Sequence, residues 1–343
     1  MKTHPLKEPS GTILEITRMS TEDGPGLRTT VFFKGCSLAC LWCHNPESIL
    51  FKPQVQWLGV GCLGCGICVR TCPENALALT DDGIVINRDR CTGCGLCAEK
   101  CPSTAMELLG RKWQVRDLAD ELARDRAYFE QSGGGVTLSG GEAALQMDFS
   151  LALLKELRAR GISTALDTCG QAPQAVFADL LPYVDLLLFD LKEIDPVKHK
   201  QFTGSGNEQI LANAVYAAKF KSDHIYPQAI WVRTPVIPGM TDTADNIRGL
   251  GGFIRDHLAG AVSRWELCAF NNLCRDKYKR LGLVWPLADL ALPEKKQMEA
   301  LSEIARSVVA PDIVSWSGST KLIKDENQRP DNKAKNILKP GCR

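Results

Sequence analysis

Charge of one sign is scarce in this chain: 41 Lys and Arg stand against 40 Asp and Glu, interspersed along 343 residues, for a formal net charge of +1. That balance leaves no electrostatic footprint for nucleic acid or an anionic membrane, and neither is expected as a partner. Also missing is any run of about 18 apolar residues, the length a membrane helix requires. Met1 to Ser10 lacks the apolar core of a signal peptide, so a cytoplasmic location is expected. Histidine is rare, five in all, and none stands at metalloprotease spacing. With G-x-S-x-G and G-x4-G-K-[ST] absent as well, hydrolase and NTPase readings lose support. TGSGNEQI (203–210) has two glycines but not the third of a dinucleotide loop, and reads as a helix start capped by Asn207.

Cysteine, by contrast, is abundant. Fifteen in a chain with no sign of export point to thiolate ligands in a reducing, oxygen-poor compartment rather than to disulfides. Cys36, Cys40 and Cys43 stand as C-x3-C-x2-C inside GCSLACLWCHNPE. Three thiolates can hold a 4Fe4S cubane while leaving one iron open for chemistry. A zinc site closed by His44 is the alternative, made awkward because adjacent residues seldom share one ion.

A second cysteine region repeats itself. CLGCGICVRTCPENAL begins at Cys62, and CTGCGLCAEKCPSTAM begins at Cys91. Each half carries C-x2-C-x2-C-x3-C-P, the run of bacterial two-cluster ferredoxins, in which the fourth cysteine crosses to the other cluster. Cys62, Cys65, Cys68 and Cys101 are therefore expected to hold one 4Fe4S cluster, and Cys91, Cys94, Cys97 and Cys72 the other. Gly64, Gly66, Gly93 and Gly95 let the backbone bend tightly and bring N–H groups near sulfur. Zinc knuckles are the bland alternative. LALTDDGIVIN reads as a hairpin turning at Asp82 and Gly83. So small a unit should depend on its clusters to fold.

Around this insert, placed at residues 52–111, the apolar pattern implies an α/β fold. GTILEIT (11–17) and TTVFFK (29–34) read as strands, and Val115 to Gln131 reads as one helix with Leu118, Leu122 and Phe129 near one face. Further strands are expected at 136–139, 163–167, 185–191, 229–236, 264–270 and 312–316. Helices are expected at 147–160, 207–221, 243–258 and 293–309. Six or seven strands are too few for a closed eight-stranded barrel, so the expectation is a partial (β/α)6 TIM-like barrel over 1–51 and 112–320, with a bacterial ferredoxin-like α+β domain inserted. The polar stretch from Lys321 to Arg343 reads as disordered.

In such barrels ligands gather at the C-terminal strand ends. There the sequence puts Gly140, Gly141 and Glu142; Asp167 and Thr168; Asp190 and Lys192; Arg233; and Asn271 with Asn272. Each is weak alone, but together they could hold a zwitterion. Cys169, Cys268, Cys274 and Cys342 read as buried or idle thiols.

C-x3-C-x-W-C, together with GGE, DTCG, DLK, R-x-P-V-I-P-G, DGPGLRT and CHNPE, resembles the radical S-adenosylmethionine enzymes that activate glycyl radical enzymes, over residues 11 to about 320. The insert is similar to that of the larger members. The resemblance implies that Cys36, Cys40 and Cys43 bind a cluster whose open iron chelates S-adenosylmethionine. Trp42 would line the nucleoside, and Gly140, Gly141 and Glu142 would meet the amino group. Asp167, Thr168 and Asp190 would face the carboxylate beside a monovalent cation, Lys192 would neutralise that carboxylate, and Arg233 would face the incoming glycine loop or the cofactor. Asn271 stands where many members have a cofactor-contacting His, and Ala143 replaces a Pro. Three 4Fe4S clusters, a glycyl radical enzyme as partner, and flavodoxin or ferredoxin as electron donor are implied. A radical enzyme acting on a small molecule or peptide, and a plain electron-transfer protein, are the competing classes.

Overall fold

Residues 8–321 are described by a computed structural model; apart from Lys321, the tail read as disordered lies outside them, as does Cys342. The chain begins with β1 (Ser10–Ser20) and β2 (Arg28–Phe33), paired antiparallel across the turn containing DGPG. Next come β3 (Gln54–Trp57), α1 (Ile67–Thr71), β4 (Leu77–Thr80), β5 (Gly83–Ile86), α2 (Leu96–Glu99) and β6 (Met106–Leu109). The chain then returns through β7 (Arg111–Gln114), α3 (Val115–Ala123) and α4 (Arg126–Ser132). The remainder alternates: β8 (Gly135–Gly140), α5 (Met147–Ala159), β9 (Thr164–Thr168), α6 (Gln174–Leu180), β10 (Leu186–Asp190), α7 (Pro196–Thr203), α8 (Glu208–Asp223), β11 (Ala229–Val236), α9 (Ala244–His257), β12 (Val262–Ala269), α10 (Arg275–Leu281), α11 (Lys295–Arg306) and β13 (Val314–Ser317).

One nine-stranded sheet carries the larger part, in the order β13-β12-β11-β10-β9-β8-β2-β1-β7. From β2 across to β13 every neighbouring pair is parallel. The two edge strands do not pair with each other, so the barrel is partial. Strands covered on both faces need continuous apolar runs. Accordingly Leu138, Leu166, Leu187, Val232 and Leu267 are buried against Leu153, Leu157, Phe177, Leu250 and Met298 of the helices.

Three local expectations are corrected. β7 pairs with β1 in the main sheet, so Arg111 already belongs to the barrel. The stretch from Val115 is two helices, broken at Asp125, whose carboxylate accepts from the Thr29 hydroxyl and pairs with Arg18. Leu118, Leu122 and Phe129 are buried as expected. In the hairpin Thr80 faces Gly83, so Asp81 and Asp82 form the turn and Gly83 starts the returning strand at φ +111°.

Between residues 54 and 109 the chain has its own small core. β3 pairs with β6 and β4 with β5, and Val55, Leu77, Ile84 and Met106 pack with Cys68 and Cys97. The four glycines of the duplicated loops have left-handed φ of +65°, +66°, +72° and +82°, so each half bends as the sequence required.

Candidate active site

The turn after β2 and the ends of the parallel strands close on a cavity of about 350 Å³. Cys36, Cys40, Trp42 and Cys43 line it from the loop. Gly140 and Gly141 (after β8), Asp167 and Thr168 (β9), Asp190 and Lys192 (β10) and Arg233 (β11) line it from the strand ends. Asp23, from the turn between β1 and β2, reaches the same wall and accepts from the Ser20 and Thr30 hydroxyls at 2.7 and 2.6 Å.

The glycine pair has a backbone reason. Gly140 has φ +105°, and a Cβ there would sit 2.3 Å from the Phe33 nitrogen. At Gly141 a Cβ would lie 2.2 Å from the Gly35 carbonyl oxygen. Much of the room the sequence seemed to reserve for a ligand is thus taken by the start of the cysteine loop itself. Glu142 is corrected too: it is fully buried and absent from the cavity wall. Its carboxylate accepts from the Ala144 N–H (3.0 Å), the Cys169 N–H (2.8 Å) and the Thr168 hydroxyl (2.8 Å), bracing the end of β9.

Charges at the strand ends are paired in a chain. Ser139 donates to Asp167 at 2.6 Å; Arg233 stands 3.8 Å from Asp167 and 3.7 Å from Glu266; Lys192 pairs with Asp190. Burial, with help from the nearby Asp190 carboxylate and against Arg233, pushes the Asp167 carboxyl up to about 7. Burial works against the charge on Lys192 and on Arg233, but surrounding carboxylates and thiols reverse it and hold both above their ordinary values. The Arg233 Nε is buried without a hydrogen-bond partner.

Burial likewise pushes the Cys40 thiol up to about 11 and the Cys43 thiol up to about 12. Cys36 is drawn down, chiefly by a hydrogen bond from Cys169. Desolvated thiols sharing one cavity are uncomfortable as bare thiolates and well suited to a metal centre that takes the place of their protons. Cys169 and Cys268 are buried or half-buried, as expected, yet both line this cavity and so are not idle.

The loop is fixed from behind by residues the sequence did not single out as functional. Tyr278 donates to the Cys43 carbonyl at 2.9 Å, and Trp285 Nε1 to the Leu41 carbonyl at 2.8 Å. Lys277 reaches Asn45 and Glu47, each at 2.7 Å. On the other side the Ala39 and Leu41 N–H groups donate to carbonyls at the end of α7. DKY in the α10 stretch was the only sequence signal for these braces. Asn271 lies outside the cavity wall: its side chain accepts from the Leu273 N–H, and its carbonyl from His44 at 3.1 Å. Asn207 holds the N-cap position of α8 but does not cap with its side chain, which donates to the Glu193 and Ile194 carbonyls at 2.8 Å.

In the 54–109 unit the cysteines gather in two crossed sets. Burial pushes the Cys68 thiol up, and Cys101, Cys62 and Cys65 around it add to the push. Cys97 is pushed up to about 11 by burial, with Cys91, Cys72 and Cys94 adding to it. Cys72, Cys91, Cys94 and Cys97 line one small cavity. The Ala76 N–H donates to Cys72 Sγ and the Met106 N–H to Cys101 Sγ, at 3.3 and 3.4 Å, so in each half the last cysteine takes a backbone N–H from the residues just after it.

Comparison with known proteins places this geometry. Residues 30–248 match the radical SAM superfamily. The chain is 37% identical over 305 residues to the (2S)-3-sulfopropanediol dehydratase activating enzyme of Klebsiella oxytoca, covering 87% of this chain and 94% of that protein. It is 37% identical over 295 residues to the trans-4-hydroxy-L-proline dehydratase activating enzyme of Clostridioides difficile, covering 85% and 95%. With the benzylsuccinate synthase activating enzyme of Thauera aromatica it shares 39% over 278 residues, 79% and 81% of the two chains. Among solved structures, a radical SAM methyltransferase from Sphaerobacter thermophilus superposes with a TM-score of 0.50 at 13% identity, over 91% of this chain and 78% of that one, a likeness of fold alone.

Proposed function

Because this chain belongs to the radical SAM superfamily, and within it to the activating enzymes of glycyl radical enzymes, we propose that its cavity binds S-adenosylmethionine and turns it on one glycine of a partner enzyme. The carrying observation is the meeting of Cys36, Cys40 and Cys43 with five strand ends around one cavity. Those three cysteines would hold a 4Fe4S cluster, which would pass one electron from a donor protein to S-adenosylmethionine, releasing methionine and the 5′-deoxyadenosyl radical that would take the glycine Cα hydrogen.

The chain's own residues do the rest. Trp42, packed edge-on against Phe202 with ring centres 6.3 Å apart, offers a fixed apolar wall for the nucleoside. Gly140 and Gly141 present backbone to the methionyl amino group, while Lys192 answers its carboxylate. Asp167 and Asp190 repel each other across the cavity, a repulsion that a monovalent cation held by them and Thr168 relieves. Arg233, with its free Nε, faces the glycine loop or the cofactor. The enclosing strand ends keep water from the reacting atoms.

Residues 52–110, the expected insert less Arg111, are proposed to be a ferredoxin-like domain carrying two further 4Fe4S clusters, set in the barrel formed by the chain on either side. The crossed neighbours of Cys68 and Cys97 support that reading. Flavodoxin or ferredoxin is the proposed electron donor, in an oxygen-poor cytoplasm; among the described residues no helix is long and apolar enough to cross a membrane.

The test is anoxic: reconstituted protein, a strong reductant and S-adenosylmethionine should yield 5′-deoxyadenosine. Adding candidate glycyl radical enzymes in turn should give a glycyl radical signal with one of them. No 5′-deoxyadenosine would remove the proposal; cleavage without a radical on any glycyl radical enzyme would move it to a small-molecule or peptide substrate.

A further inference from the structure

The duplicated halves of the insert are equal in sequence but not in surroundings. In the first, the stretch Leu58 to Ile67 carries no charged side chain. Val60 and Leu63 project from it into solvent at 106% and 71% exposure, Cys65 is exposed, and a Cβ on Gly64 would meet nothing within 4 Å. The second half faces the barrel. A Cβ on Gly93 would lie 2.1 Å from the Pro53 carbonyl oxygen, and Cys94 opens into a groove of about 950 Å³ that Glu47, Lys277 and Arg280 also line.

Arg88 spans the gap. It donates to the Val55 carbonyl inside the insert at 2.5 Å and to the Arg280 carbonyl of α10 at 2.6 Å. Cys91 follows three residues on, and its thiolate attracts the Arg88 charge. From α10 the contacts continue to the active-site loop, through Tyr278 to the Cys43 carbonyl and through Lys277 to Glu47. Among the described residues no such bridge leaves the first half.

We infer that the two sets of four cysteines work in a fixed order: a one-electron donor protein meets the exposed loop around Cys65, whose carbonyl accepts from the Arg70 guanidinium at 3.2 Å, and the electron leaves through the Cys72, Cys91, Cys94 and Cys97 set toward the Cys43 loop. Arg88 is the positioning residue that ties the inner set to α10. Each passage oxidises the donor, a reduced flavin or iron–sulfur protein, by one electron and reduces the centre at the triad by one. The entry face suits such a donor because the exposed aliphatic Val60 and Leu63 cost little to desolvate, and the Arg70 guanidinium on the Cys65 carbonyl gives the loop one positive charge for orienting a partner. A fixed positive charge beside Cys91 favours the reduced, more negative state of the inner set. The inference rests on both sets holding 4Fe4S clusters.

The duplication supplies matched test positions, since Leu63 and Thr92 occupy the same place in CLGC and CTGC. Full-length holoprotein carrying Leu63→Glu or Thr92→Glu, with iron content verified, is mixed anoxically with reduced flavodoxin, and bleaching of the iron–sulfur absorbance is followed by stopped flow. Leu63→Glu should slow reduction several-fold and Thr92→Glu should leave it unchanged, while titanium(III) citrate reduces both at the same rate. Val60→Glu, outside the cysteine run, repeats the first arm should Leu63→Glu lose iron. Equal slowing of both variants, or slowing of Thr92→Glu alone, overturns the order. Arg88→Gln should lower the midpoint potential of one of the three paramagnetic signals and leave two unmoved; three unmoved signals overturn its assignment. None of these readouts uses S-adenosylmethionine. A protein reduced in the wrong order therefore contradicts only this inference, whereas one that is reduced yet forms no 5′-deoxyadenosine contradicts the proposed function.

Discussion

Cys36, Cys40 and Cys43 lie in a loop held by groups that come from more than 150 residues away, whereas the eight cysteines of the insert are placed by glycine turns within a few residues of each. Behind the triad stand the end of α7, Tyr278, Lys277 and Trp285. In the insert the work falls to Gly64, Gly66, Gly93 and Gly95 and to local N–H groups aimed at sulfur. The triad depends on the barrel for its shape, and the insert, on the proposed reading, depends on its clusters. A reactive centre needs a scaffold that stays put while its ligands change. An electron carrier needs only short, wrapped loops around sulfur.

The largest effect should separate the two regions outright. Cys36→Ala should bring 5′-deoxyadenosine formation to background with any reductant, while Cys68→Ala should keep a measurable rate with a strong small-molecule reductant, both read by chromatography of the nucleoside. Equal loss would mean that the insert shapes the active site as well as feeding it. Next, stripping iron under anoxic conditions should let the amides of residues 54–109 exchange freely while those of β8 to β12 stay protected, as followed by hydrogen exchange with mass spectrometry. On the proposed reading cluster binding supplies much of the insert's folding free energy, while the barrel has its own apolar core. Uniform loss of protection would break the comparison.

Smaller effects sharpen it. Glu142→Ala should lower unfolding stability in urea by about 3 kcal/mol, because the Thr168 hydroxyl and the Ala144 and Cys169 N–H groups lose a shared buried acceptor. Stability unchanged with cofactor binding lost would mean that Glu142 meets the cofactor directly. A pH effect belongs to Asp167. Its carboxyl is held up to about 7, mainly by burial, so below that value it is largely neutral and must give up a proton before it can serve a cation or ammonium group. S-adenosylmethionine affinity should therefore rise with pH toward about 7 and level off above it, with proton release detectable by calorimetry in buffers of different ionisation enthalpy. Asp167→Asn should flatten that slope. Smallest, Tyr278→Phe removes one hydrogen bond to the Cys43 carbonyl and should cost about 1 kcal/mol of stability in the same urea assay.

The sequence made some parts readable and hid others for physical reasons. The parallel strands announced themselves through short apolar runs: LLLF in β10 is buried on both faces and apolar throughout, while AIWV in β11 alternates buried and half-buried residues. The crossed cysteine sets were legible because ligand spacing is nearly independent of the surrounding fold. β7 was missed because an edge strand reading RKWQ is largely exposed and carries no apolar alternation. The break at Asp125 was missed because its partners, Arg18 and Thr29, lie about a hundred residues earlier. Glu142 sits in GGE beside two cavity-lining glycines, and nothing local says that its side chain turns inward. The braces behind the triad follow the same rule: Tyr278 and Trp285 read as ordinary aromatics until the fold brings them against Cys43 and Leu41.

The most direct measurement joins both ends of the account. Anoxic protein, reduced and supplied with S-adenosylmethionine, is mixed with each of a set of glycyl radical enzymes, and the radical spectrum is recorded alongside 5′-deoxyadenosine. A glycyl radical that rises in step with the nucleoside, and that vanishes with Cys36→Ala while persisting in Cys68→Ala under strong reductant, is the predicted result. Nucleoside formed with no glycyl radical, or a radical that survives Cys36→Ala, would contradict it.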